Sequence, residues 1–174
     1  MTRSLLCLAL LIAACGKEDA APPEATSNAA LDRLSLGSDP GEALPVLDAR
    51  DAEDGEVVVQ GRIGQVVKGF ASFQLVDESL DYCGAGGAMD DCATPWDYCC
   101  IPGDEKNAAT LLVEARDDDG RPVKTAALPG LRLLDLVAVK GRLVHDEHGN
   151  ATVIASGWFR KERPKLREGL RWPE

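Results

Sequence analysis

The residues able to do chemistry are the sulfurs. From Asp81 to Pro102 the chain reads DYCGAGGAMDDCATPWDYCCIP, which sets Cys83, Cys92, Cys99 and Cys100 in a C-x8-C-x6-C-C pattern beside both tyrosines and one of three tryptophans. Four cysteines so spaced can close two disulfides, hold one metal ion as thiolates, or present a labile vicinal redox pair. Adjacent Cα atoms stand about 3.8 Å apart, short of the roughly 4.4–6.8 Å that a disulfide spans, so a Cys99–Cys100 bond would be strained. The expected arrangement is two disulfides sending Cys99 and Cys100 to Cys83 and Cys92, in either order. Each would contribute on the order of 3 kcal/mol to a glycine-rich loop with little apolar content. A four-thiolate metal site from the same residues lacks the close C-x2-C pairs of zinc modules. A metal, haem or redox role using Cys99, Cys100 and Met89 lacks a C-x-x-C motif. No cofactor or metal is therefore expected.

The aromatic residues of this stretch, Tyr82, Trp96 and Tyr98, read either as a small satellite core over the sulfurs or as a binding surface with polar handles. Elsewhere the signals are weaker. His145 and His148 flank a turn and read as solvated turn residues on their polar context, with weak metal binding as H-x-x-H the lesser alternative. Asp117-Asp118-Asp119-Gly120 has its glycine too early for a calcium loop and reads as a turn. Asp77-Glu78 and Asp90-Asp91 are carboxylate pairs with nothing nearby to raise a pKa. G-x-S-x-G, H-E-x-x-H, P-loop and C-x-x-C-H patterns are absent from the sequence, so an enzyme is not expected.

The elements that must position the cysteine stretch are strands. Val57 to Ile63 (VVVQGRI) is a β-branched run, and Ala71 to Val76 (ASFQLV) alternates after the turn at Lys68-Gly69. Residues 109–116 alternate again, with Leu111, Val113 and Ala115 on one face. Leu128 to Leu134, containing Pro129 and Gly130, makes at most one short helix. Residues 135–144 and 151–159 flank a hairpin connection at Asp146 to Asn150. Gly61, Gly141 and Gly157 fall inside strands, where glycine marks a bulge, a tight bend or a close backbone approach. VVVQGRI and VAVKGRL share V-x-V-x-G-R-[IL], which reads as two strands meeting one bending requirement, with internal duplication as the alternative.

The V-x-G-R-I first strand, the F-x-L-V-D second strand and the late V-K-G-R-L hairpin resemble the patterns of OB-type domains. The resemblance implies a mainly all-β fold, a five-stranded Greek-key barrel over residues 55–160 with a cysteine-rich insert at 81–102. It also implies oligonucleotide or oligosaccharide binding on the barrel face, although stacking aromatics and basic residues are sparse there. The segment from Ala93 to Cys100 (ATPWDYCC) is similar to a motif of secreted bacterial proteins, and brings no activity with it.

Ahead of the barrel, Met1 to Arg3 is a short positive region and Leu5 to Ile12 an apolar run, followed by Ala13-Ala14-Cys15. This resembles a bacterial lipoprotein signal peptide over residues 1–14, which implies lipidation at Cys15 and a membrane anchor made of acyl chains. An exported domain facing the periplasm or exterior, with a possible envelope protein partner, is the expected setting. Residues 15–54, rich in Ala, Glu, Asp, Pro, Ser and Gly, read as a disordered tether; Leu31, Leu34 and Leu36 could instead form a helical turn or dock on the domain.

The charge is −10, and removing residues 1–14, with Arg3 alone, leaves 18 basic and 29 acidic side chains, or −11. Such a body repels phosphate backbones, which disfavours nucleic acid. Residues 161–174 form a basic tail, able to bind anionic lipid or fold back on the acidic domain.

Overall fold

The computed structural model describes residues 29–85, 94, 96–166, 168 and 172. In chain order the elements are α1 (Ala29–Asp32), β1 (Leu44–Pro45), α2 (Val46–Arg50), β2 (Gly55–Val66), β3 (Ser72–Val76), α3 (Gly103–Ala108), β4 (Thr110–Glu114), β5 (Leu136–His145) and β6 (Ala151–Glu162). Strands β2, β3, β4, β6 and β5 pair in that order, and β2 pairs again with β5. The ring thus closes as an OB-like barrel, β6 entering between β4 and β5 to make the Greek key. The β4–β6 contact is parallel and the other contacts of the ring are antiparallel.

Closure depends on β2 serving two partners. Its first eight residues, Gly55 to Arg62, face Leu143 to Leu136 of β5, and from Arg62 onward it faces β3. The register shifts between Ile63 and Gln65, so the strand bends around Gly64 as it changes partner. The two V-x-V-x-G-R copies lie against each other, Val59 opposite Val139, Gly61 opposite Val137 and Val57 opposite Gly141. Each glycine therefore sits across from a valine of the other copy, a local two-fold arrangement that explains the shared pattern.

The alternating strands bury Val59, Ile63, Phe73, Leu75, Val113, Val139, Leu143 and Val153 completely, with Trp158 and Phe73 in edge contact at 6.1 Å. Apolar burial of this kind is the main stabilising term, worth about 1.5–3 kcal/mol per large side chain.

Two expectations are corrected. Three short helices occur among the described residues rather than at most one, and none lies at 128–134, where Pro129 and the positive φ of Gly130 (72°) break the chain into turns. The stretch 29–54 is not a disordered tether but docks on the barrel. Leu31, Val46 and Ala49 are buried, and Leu34 and Leu36 exchange backbone hydrogen bonds with Trp158. The reason lies in the barrel glycines. A Cβ on Gly157 would stand 2.6 Å from Leu36 Cδ2, and one on Gly61 would stand 2.8 Å from Val46 Cγ2. Those glycines leave the hollows that the leucine and valine fill. Residues 1–28, including Cys15, lie outside the described residues.

Polar anchors complete the docking. Asp77, buried in the barrel wall, accepts the Leu47 N–H at 3.0 Å and the Ser79 N–H at 2.9 Å. Burial pushes its carboxyl up, but these donors outweigh it and hold the pKa below the ordinary value. Arg50 donates to the Thr110 carbonyl. The expected end of the barrel at 160 moves to Glu162, and Arg163 of the basic tail folds back onto buried Asp135.

Candidate functional site

The insert between β3 and α3 is built on main-chain ties. The Cys83 N–H donates to the Asp97 carbonyl at 2.8 Å, joining the two arms of the loop at its base. Turns follow at Tyr82 to Ala85 and at Tyr98 to Ile101, and Tyr98 N–H is held by the Asp97 carboxylate at 2.6 Å. Tyr98 is the pin. It is 1% exposed and packs with Val76 and Leu134, while Leu80, Tyr82, Trp96 and Ile101 close around it half-buried.

This placement corrects Tyr98 as a binding-surface residue: its ring belongs to the satellite core. Burial raises its phenol pKa well above the ordinary value. Its hydroxyl has no hydrogen-bond partner among the described residues. Tyr82 lies under the Arg62 guanidinium at 5.4 Å, and Lys106 Nζ stands 5.6 Å from the Tyr98 ring.

The pin brings three sulfurs together. Cys83 Sγ lies 3.3 Å from Cys99 Sγ and 3.9 Å from Cys100 Sγ, and the last two are 4.0 Å apart. None of these separations is a covalent S–S bond. Cys83 is buried, whereas Cys99 and Cys100 reach the surface. Cys92, Met89 and Asp90-Asp91 lie outside the described residues.

Trp96 and Asp97 of the insert also line a cleft of about 1140 Å³ against the barrel. Its walls are Gly64 to Val66 of β2, Trp96 and Asp97 of the insert, Lys106 of α3, the loop 126–128 and 131–133, and Leu166 and Trp172. Gly64 is required here for packing: a Cβ would drive into the Val76 side chain, beside the Tyr98 ring. Of the sequence-derived surface residues, Trp96 alone faces this cleft. Lys106, Arg132 and Trp172 carry no local signal, since they lie far apart in the chain and meet only when the barrel closes.

The remaining candidates separate. His145 donates to the Asp54 carboxylate at 2.7 Å and faces the Arg50 carbonyl at 3.0 Å, while His148 lies at 3.5 Å from Glu147. The two histidines therefore do not form a metal pair. Hydrogen bonding to Asp54, then to Arg50, raises the His145 pKa. Asp117 Oδ1 accepts the Asp119 and Arg121 N–H groups at 3.0 and 2.9 Å, a side-chain-closed turn as expected.

Fold and site together define an OB-like barrel carrying a sulfur-rich insert over one end. No protein-family model matches the chain, and no curated protein matches it either.

Proposed function

We propose that the protein is a non-enzymatic binding module held at the bacterial cell envelope by lipid on Cys15. Its ligand, a molecule with a flat apolar face and an anionic group, occupies the cleft between insert and barrel. The observation that carries this reading is the cleft's wall, where Trp96 and Trp172 offer aromatic surface and Lys106 and Arg132 supply positive charge. In a chain of net charge −10, the two cations outnumber the one acidic residue of the cleft wall, Asp97, and so reverse the sign of the charge locally. The volume of about 1140 Å³ is on the scale of small-molecule sites, which run to ~1,000 Å³. Single-stranded nucleic acid remains disfavoured by the acidic body.

The probe is 1-anilinonaphthalene-8-sulfonate, which combines a flat apolar ring system with one negative charge. Saturable binding to the folded chain, with energy transfer from tryptophan, is expected; Trp96→Ala and Arg132→Glu should each weaken it at least fivefold while the far-ultraviolet circular dichroism is unchanged. Equal binding by both variants would defeat the assignment. For the anchor, labelled palmitate should enter the wild-type chain in a lipoprotein-processing bacterium and not the Cys15→Ala variant.

A further inference from the structure

From the sulfur triangle we infer that Cys83, Cys99 and Cys100 form a binding site for a thiophilic closed-shell metal ion, with Zn2+ as the type. The separations of 3.3, 3.9 and 4.0 Å place the sulfurs on a circle of radius about 2.2 Å. An ion ~2.3 Å from each sulfur, the zinc–thiolate distance, then stands about 0.8 Å out of their plane, which is the displacement of a tetrahedral centre from a face of three ligands. A disulfide would draw two of them to about 2.05 Å, closer than any pair of the three stands here. An ion uses all three at their present spacing.

The scaffold supports this assignment independently of the distances. The Cys83–Asp97 main-chain bond fixes one ligand, and buried Tyr98 immediately precedes the other two, so the triangle forms with the insert itself. Such advance positioning lowers the ordering cost of binding. Cys99 and Cys100 are exposed, which provides the path for the ion to enter. Binding converts three thiols to thiolates and releases three protons to solvent, with no change of oxidation state. The bound ion would cross-link the two arms of the insert and so hold Trp96 against the cleft.

The full chain, purified under reducing conditions, is titrated with Zn2+ against a chromophoric chelator and, in parallel, with Co2+. One ion per chain is expected, with an intense sulfur-to-cobalt charge-transfer band and tetrahedral d–d absorption. Cys100→Ser, at an exposed position, should weaken Zn2+ binding at least tenfold while the circular dichroism stays that of wild type, and Cys83→Ser should do the same. Chain isolated without reductant that carries no ion and no thiol reactive toward a disulfide reagent would overturn the site in favour of two bridges. So would a cobalt spectrum lacking the charge-transfer band, or one unaltered in Cys100→Ser. The sulfonate-dye titration is a separate measurement, so failure of the metal site and failure of the cleft are told apart.

Discussion

Replacing Arg163 by alanine should destabilise the barrel more than any other change in the basic tail. Asp135 is fully buried, and its two carboxylate oxygens accept Arg163 Nε at 2.7 Å and Nη2 at 2.6 Å, with the Arg132 N–H at 2.9 Å as its third donor. Among the described residues, truncation leaves the buried negative charge with that single N–H, a class of change that costs about 3–5 kcal/mol. The Arg163 side chain is 29% exposed, so water can enter the vacated space, and the lower end, about 3 kcal/mol, is the expected loss. For a domain of this size that is a fall in Tm of roughly 6–12 °C. Thermal unfolding of the wild type, Arg163→Ala, Asp135→Asn and the double variant provides the assay. The double variant should lose at least about 1 kcal/mol less than the two single losses combined, because the second substitution removes the charge that the first leaves stranded. Arg163→Lys should fall between, since an ammonium restores charge but not the two-pronged contact. A Tm for Arg163→Ala within about 2 °C of wild type, or strict additivity in the cycle, would refute the reasoning.

Three further outcomes follow from the geometry. Tyr98→Phe, which deletes a buried hydroxyl without a partner among the described residues, should be neutral or slightly stabilising in urea unfolding, whereas Tyr98→Ala should lose about 3–5 kcal/mol. Gly61→Ala places a Cβ 2.6 Å from the Val76 carbonyl oxygen and 2.8 Å from Val46 Cγ2, so it should cost about 1–3 kcal/mol and speed hydrogen exchange at Leu47. Unchanged exchange there would count against the docking of α2. For His145, both ring nitrogens face acceptors, which the ring satisfies together only as the imidazolium. Its folded pKa is raised above the unfolded value, so its stabilisation is full below about pH 6.5 and is lost as pH rises through the raised value. The stability difference between wild type and His145→Ala should therefore shrink on the alkaline side, and a difference independent of pH would contradict the charged ring.

Much of the barrel was legible because alternation reports directly which face of a strand is buried. The runs VVVQGRI, ASFQLV and VAVKGRL became β2, β3 and β5, and the hairpin at Asp146 to Asn150 joins β5 to β6 as expected. Tyr98 was ambiguous for a physical reason: an aromatic residue beside cysteines has the same local sequence whether its ring turns inward or outward. The cleft was invisible, since Gly64, Trp96, Arg132 and Trp172 share no spacing that a local pattern can detect. The sulfur separations belong to the same class, because C-x8-C-x6-C-C is compatible with pairing and with ligation alike.

What the amino-acid order by itself determined was the strand inventory, the turns, and the confinement of four cysteines to one excursion, all set by neighbours a few residues apart. The tertiary structure alone decided that residues 29–54 belong to the folded unit. Leu31, Leu34, Leu36 and Val46 are too few to form a core of their own, and they lose water only by lying on the barrel, where Gly157, 121 residues beyond Leu36, and Gly61, 15 beyond Val46, leave room for those two side chains. It likewise decided that Cys83, Cys99 and Cys100 meet in one triangle, since that depends on Tyr98 finding its place between Val76 and Leu134 once the barrel has closed.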